Sequence, residues 1–227
     1  PTTGSASPRM SLAGKVIVLD PGHNGANAEH LDEISEPVDA GGFEKPCNTE
    51  GTRTAGGYLE STFNWEVAKL LATRLRTHGA TVILTRQSND GWGPCIDERG
   101  QIAARNDADL LLSVHADGSS AGDRGFHLIS PASLAGYTGR TAAPSRRAAV
   151  DIRNALVDAG LPPANYVGSN GLIVRSDLGT LNRAETPAVM VECGNMLTSG
   201  DAALMTSGSG RARIADALAD GIAHYLA

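Results

Sequence analysis

Apolar residues along this chain recur with two periods, and the alternation between them sets the fold class. The run KVIVLD, residues 15 to 20, is a short apolar stretch bounded by Gly14 and by Pro21-Gly22, and it predicts a buried strand. In ESTFNWEVAKLLATRLRTHG the apolar positions Phe63, Val67, Leu70, Leu71 and Leu75 return at helical spacing, with Gly79 as the stop. ATVILTR (80–86), DLLLSVHA (109–116), GFHLISP (125–131), LIVRS (172–176) and PAVMVE (187–192) predict further strands, and residues 96–108, 143–160 and 209–227 predict helices. Strands alternating with helices of this length imply an α/β three-layer sandwich, its mainly parallel sheet of about six strands flanked by helices. Residues 24 to 59 are Gly-rich with little periodicity, and a loop that long in a compact domain is usually functional or mobile. The opening PTTGSASPRMS is small and polar, so residues 1–13 are expected to be a flexible leader ahead of one catalytic domain over 14–227 with the long loop inserted in it.

Composition narrows the function classes. Of 227 residues, 19 are Lys or Arg and 25 Asp or Glu, a net charge of −6 without any basic run, which argues against a nucleic-acid partner. A hydrophobic fraction of 41% fits a folded chain rather than a disordered one, and no apolar run approaches the roughly 18 residues of a membrane span. Aromatic residues are only 4% while Gly numbers 27, so the core must be aliphatic and the loops many. The three cysteines are too scattered for a disulfide framework or a CxxC zinc site. Cys47 and Cys95 lie in Gly/Pro-bounded loops that a bridge can join, and Cys193 follows an apolar strand as a buried thiol. One disulfide with one free thiol suits an oxidising compartment, hence a secreted protein.

Ligand and catalytic groups in such sheets gather where loops leave the carboxyl ends of the strands. His23 follows the first strand in DPGH, His115 closes DLLLSVH and Glu192 closes PAVMVE. Glu60 opens the first long helix and can turn back toward the same edge, although a first-turn acid is also favoured by the helix dipole, which leaves Glu44 and Glu50 as substitute ligands from the loop. Two imidazoles and one carboxylate form a catalytic zinc set with a position open for water or substrate. A separate carboxylate must then take up and return a proton, and Glu192 is the candidate, since an acid ending an apolar strand is costly unless paired or functional. His78 and His224 fit structural roles near helix ends, His30 and His127 loop or solvent roles rather than ligation. Asp20 is either an acceptor behind His23 or a turn residue. Arg175 and Arg183 flank the approach to the last strand, where a guanidinium can hold a peptide carboxylate. A nucleophilic Cys193–His115 pair is disfavoured because Cys193 should face away from its neighbour Glu192.

DPGH at 20–23, Glu60 with the following VAKLLATRLRTHGATVILTR, ERGQIAARNDADLLLSVHAD, and LNRAETPAVMVECGN together resemble, in order, the blocks of the zinc-dependent N-acetylmuramoyl-L-alanine amidases of the Amidase_3 type. The resemblance implies one zinc ion per chain on His23, Glu60 and His115, with Glu192 as the catalytic carboxylate. It further implies hydrolysis of the amide between the lactyl group of N-acetylmuramic acid and L-alanine, in peptidoglycan or muropeptide fragments, by a bacterial enzyme of the periplasm or wall space. No transmembrane segment is expected, and a monomer is. The chain departs from the family in Asn24-Gly25 after the motif His, in Asn195 where Phe is usual, in Ala104 where Asn is common, and in the 36 residues between His23 and Glu60. A Cys47–Cys95 bridge is expected to pin that inserted loop. A catalytically silent wall-binding or activator module, and a zinc peptidase or deacylase acting on another amide, are the alternative functions.

Overall fold

The computed structural model describes residues 11–227. In chain order it forms β1 (Val16–Pro21), α1 (Leu31–Ser35), β2 (Pro37–Asp39), β3 (Glu44–Pro46), α2 (Glu60–Thr77), β4 (Thr81–Leu84), α3 (Ile96–Arg105) and β5 (Leu110–Asp117). It continues with β6 (His127–Pro131), α4 (Ala142–Asp158), β7 (Leu172–Arg175), α5 (Gly179–Asn182), β8 (Ala188–Asn195), α6 (Ser199–Thr206) and α7 (Gly208–Leu226). Six strands make one sheet in the order β4-β1-β5-β8-β6-β7, and β2 pairs only with β3. Every neighbouring pair in the large sheet is parallel except β6 with β8.

Period-two alternation sends each strand's side chains to two different layers. Ile17, Leu19, Leu112, Val114, Val189 and Val191 face the larger core, where Phe63, Val67 and Leu71 of α2, Ile152 of α4 and Leu218 of α7 meet them. Val18, Leu111, Ile129 and Met190 face the smaller core beneath Ala103 of α3 and Leu181 of α5. This is the sandwich that the strand–helix alternation predicts, with helices on both faces as parallel strands require.

Three stretches differ from the sequence expectation. The insertion after β1 is not bare loop: it contains α1 and the β2–β3 hairpin, pieces too short to show a period. The bridge Cys47–Cys95 is formed, and the Ile96 amide donates to the Cys47 carbonyl at 2.8 Å, so the hairpin is tied to the start of α3. The terminal helix is preceded by a separate α6, and the break falls at Ser207, whose hydroxyl accepts the Gly210 amide and caps α7. The expected leader lies mostly outside the described residues, at 1–10, but Leu12 is fully buried in the larger core and its amide donates to the His78 carbonyl at 2.8 Å.

Opening the Cys47–Cys95 link by Cys95→Ser should lower unfolding free energy by about 2–4 kcal/mol. The loss should appear in hydrogen exchange first as deprotection of residues 36–47. Unchanged protection there, with the bridge absent by mass spectrometry, contradicts this role for the bridge.

Candidate active site

One edge of the sheet carries a polar row, formed toward the carboxyl ends of β5 and β8 and at the amino end of the antiparallel β6. His115 on β5 is the register partner of Glu192 on β8, and Glu192 is in turn opposite His127 on β6. Residues two earlier on the strands, Ser113 and Met190, share that face of the sheet. His23 stands just past β1 with φ 57°, a left-handed backbone that costs a non-glycine residue of order 1–3 kcal/mol and is held only where its surroundings enforce it. Glu60 is the first residue of α2, reaching the same edge from the larger-core side.

These residues converge. Glu60 Oε1 lies 3.2 Å from His23 Nε2 and 2.9 Å from His115 Nδ1, and one ligand atom from each of the three falls within 4.8 Å of the others. The two imidazoles stand edge to face with centroids 4.9 Å apart. Their side chains are 10% and 14% exposed, and that of Glu60 is 5% exposed. The second Glu60 oxygen accepts the Thr52 amide at 2.9 Å. His23 Nδ1 donates to the Thr49 carbonyl at 2.9 Å, since a carbonyl only accepts, and this leaves Nε2 as the ring nitrogen turned toward Glu60. A Cβ at Gly22 would come within 2.1 Å of the His115 ring, and one at Gly51 within 2.8 Å of Glu60 Oε2, so the backbone closes on the cluster where only glycine permits it. Two nitrogens and one carboxylate, buried, oriented and open on one side, are a donor set that fits zinc.

The electrostatics separate the two acids. Burial would raise the Glu60 carboxyl, but the facing imidazoles of His23 and His115 hold it well below its ordinary value. Burial would depress His23, and the Glu60 carboxylate outweighs that and raises it. Glu192 is pushed well above the ordinary carboxylate range, first by burial and then by the negative charges of Glu60 and Asp117, with Arg175 opposing. Its Oε2 is buried and makes no hydrogen bond.

Two buried guanidinium groups, neither singled out by the sequence, set the position of His23. Arg99 on α3 is 1% exposed; Nη1 donates to Asp20 Oδ1 at 2.7 Å and to the Pro21 carbonyl at 2.9 Å, and Nη2 to the His23 and Gly93 carbonyls at 2.9 and 3.0 Å. Arg86 donates from Nε to the Pro21 carbonyl at 2.8 Å and from Nη2 to the Ser61 carbonyl, one residue beyond Glu60, at 2.9 Å. Burial and the like charge of Arg99, opposed by Asp20, pull Arg86 down to about 9. Asp20 therefore acts neither as a direct acceptor for His23 nor as a mere turn residue: it is the fully buried counter-charge of Arg99, and also accepts the hydroxyls of Ser113 and Thr85 at 2.6 Å.

The remaining sequence candidates divide. A cleft of 250 Å³ is lined by His23, His115 and Glu192 together with Lys45, Arg175 and Asp177, and a second hollow, lined by Glu50, Thr52 and Asp117, opens on the other side of the same cluster. Arg175 is thus in the cleft, held by Asp177 at 2.7 and 2.8 Å. Arg183 is not: it pairs with Asp39 and lines a different hollow beside Tyr137, because the short helix α5, which shows no period in sequence, carries it away. Glu50 faces the second hollow without joining the ligand group, and Glu44 is exposed on β3. His30 stacks on Trp92, His78 ends α2, and His224 lies in the last turn of α7. Cys193 faces the larger core, away from Glu192, and burial raises its thiol well above its ordinary value. Two departures from the family have structural work here: Asn24 Nδ2 donates to the Gly93 carbonyl at 3.1 Å, and buried Asn195 donates to the Ser120 and Asp123 carbonyls at 2.8 Å.

Residues 17–224 match the family described as N-acetylmuramoyl-L-alanine amidase. The chain is 41% identical over 226 residues to the N-acetylmuramoyl-L-alanine amidase Rv3717 of Mycobacterium tuberculosis, covering 100% of this chain and 92% of that protein. Its structure is similar to the apo form of the N-acetylmuramyl-L-alanine amidase Ami1 of Mycobacterium abscessus, with TM-score 0.90, 43% identity, and 95% and 100% of the two chains covered. Ami1 of Mycobacterium smegmatis gives TM-score 0.90 at 39% identity, covering 95% and 98%.

The buried pair behind His23 has a pH signature. Burial opposes ionisation of Asp20, yet Arg99 and the two hydroxyls outweigh it and hold the carboxyl at about 2 instead of 3.8. A depressed acid stabilises the fold above its unfolded-state value, and that contribution, about 2 kcal/mol, is lost as pH falls from near 4 through about 2. Asp20→Asn should lose this acid dependence and should be less stable at pH 7 by about 3–5 kcal/mol, since Arg99 is left uncompensated. Urea unfolding of both proteins from pH 2 to 7 checks this; parallel curves contradict it.

Proposed function

This chain belongs to the N-acetylmuramoyl-L-alanine amidase family, and on that premise we propose that its reaction runs on one zinc ion per chain held by His23, Glu60 and His115, with Glu192 moving the proton. The protein is a peptidoglycan hydrolase. The bond cleaved in this reading joins the lactyl group of N-acetylmuramic acid to L-alanine of the stem peptide. The observation that carries the proposal is the meeting of the three ligand atoms within 4.8 Å, beside an acid that burial keeps ready to hold a proton.

Zinc in such a site supplies Lewis acidity to a carbonyl oxygen and makes water acidic enough to attack near neutral pH. Glu192 takes the proton of the attacking water as the new C–O bond forms at the lactyl carbonyl. It then delivers that proton to the alanine nitrogen as the C–N bond breaks, so the products are a carboxylic acid and an amine. An acid whose ordinary value has been raised by burial suits both halves of that transfer. Thr49, through the His23 Nδ1 proton, keeps the His23 ring from turning. Arg175 and Lys45, on one side of the cluster, are placed to hold a carboxylate of the stem peptide, leaving the hollow of Thr52 and Asp117 for the sugar side.

Residues 14–227 act in this reading as one catalytic domain and as a monomer, outside the cytoplasmic membrane where peptidoglycan lies and where the Cys47–Cys95 bridge persists. No described helix is long and apolar enough to cross a membrane.

Glu192→Gln should retain about one zinc per chain while its turnover of muropeptides falls by about 100-fold or more. A chelator should silence the parent protein, and added zinc should restore it. Turnover by Glu192→Gln close to the parent rate contradicts the assignment.

A further inference from the structure

Two buried polar atoms beside the cleft lack partners, and they are neighbours. Glu192 Oε2 and His127 Nδ1 are each buried without a hydrogen bond, and the antiparallel pairing of β6 with β8 sets His127 directly opposite Glu192. Opposed residues share a face of the sheet with Cβ atoms about 4.5–5.5 Å apart, so an imidazole and a carboxylate at such positions that do not bond directly are within the span of one bridging water. Two residues along on the same face of β6 stands Ile129, and its register partner is Met190. A buried polar atom left unmatched is costly, so two of them opposite each other on one face call for a common explanation.

The ring is held in place. His127 is 4% exposed and meets Tyr166 edge to face at 6.0 Å, and the Tyr166 hydroxyl donates to Asp117 Oδ2 at 2.8 Å. Burial, with Asp117 opposing it and Arg175 reinforcing it, lowers His127 below its ordinary value and so favours the neutral imidazole, which has one N–H to give. Glu192 lines the cleft, yet its Oε2 is turned inward.

Resting on the assignment of Glu192 as the proton-moving acid, we propose that His127 is a positioning residue whose Nδ1–H engages Glu192 Oε2 through one bridging water, so that Oε1 stays turned toward the scissile amide. His127 itself touches neither substrate nor metal ligands. This gives a partner to both orphaned atoms at once.

The two amide side chains discriminate the role. The Asn amide nitrogen falls where Nδ1 lies, whereas that of Gln falls where Nε2 lies. His127→Gln and His127→Phe should lose about 10- to 100-fold in kcat with KM and zinc content unchanged, the loss expected of a misplaced catalytic group, and His127→Asn should stay within about threefold of the parent. In a Glu192→Gln background, His127→Phe should not lower the residual rate further. The proposal is overturned if His127→Phe turns over at the parent rate, if His127→Asn falls as far as His127→Phe, or if the loss appears in KM. His127→Asn and His127→Gln decide the question even where the Phe variant does not fold. An active Glu192→Gln would instead break the reading of the site, so the two failures are distinct.

Discussion

Glu60 is a carboxylate that water barely reaches, and a buried charge without a partner is among the most costly features a fold can contain. Its side chain is 5% exposed and lies against two imidazoles, so the protein must keep positive charge at that point. A divalent ion between the three donors would supply it, and the demand is fixed by burial. It draws the loop after β1, the N-terminus of α2 and the end of β5 to one place, and the steric closeness of Gly22 and Gly51 records how tightly they meet.

That convergence needs a frame that does not relax, and the frame is electrostatic as much as apolar. The aliphatic cores above and below the sheet align the strand ends but leave the loop of residues 21–23 unspecified. Arg99, neutralised by Asp20, gathers the carbonyls of Pro21, His23 and Gly93, while Arg86 joins Pro21 to the start of α2. Planar guanidinium groups can satisfy several carbonyls at fixed angles, which lysine cannot. The strained backbone of His23 is held by these contacts, and so the geometry of the proposed ligand group depends on buried cations outside it.

Much of this was legible in the chain itself, and for identifiable reasons. The strands announced themselves because both faces of a parallel sheet are buried, and α2 because Phe63, Val67, Leu71 and Leu75 repeat at a helical period. His23, His115 and Glu192 could be placed at one edge because strand ends in such a sheet share an edge. Glu60 leaned on the family resemblance, since a first-turn acid has an ordinary explanation. What stayed hidden was long-range: Arg86 and Arg99 look like surface cations until the fold buries them, and Arg183 looked like a cleft residue until α5 turned it toward Asp39. The β2–β3 hairpin is three residues per strand, too short for any period to show. His127 reads in sequence as a loop or solvent residue, yet it is 4% exposed on β6, and only the β6–β8 register brings it opposite Glu192.

X-ray absorption at the zinc edge of the metal-loaded protein tests the central claim most directly. The account predicts a four-coordinate first shell of nitrogen and oxygen at about 2.0–2.2 Å, with the multiple-scattering signature of two imidazoles, reduced to one imidazole in His23→Ala. A shell that contains sulfur, or one that keeps both imidazoles in His23→Ala, would contradict it.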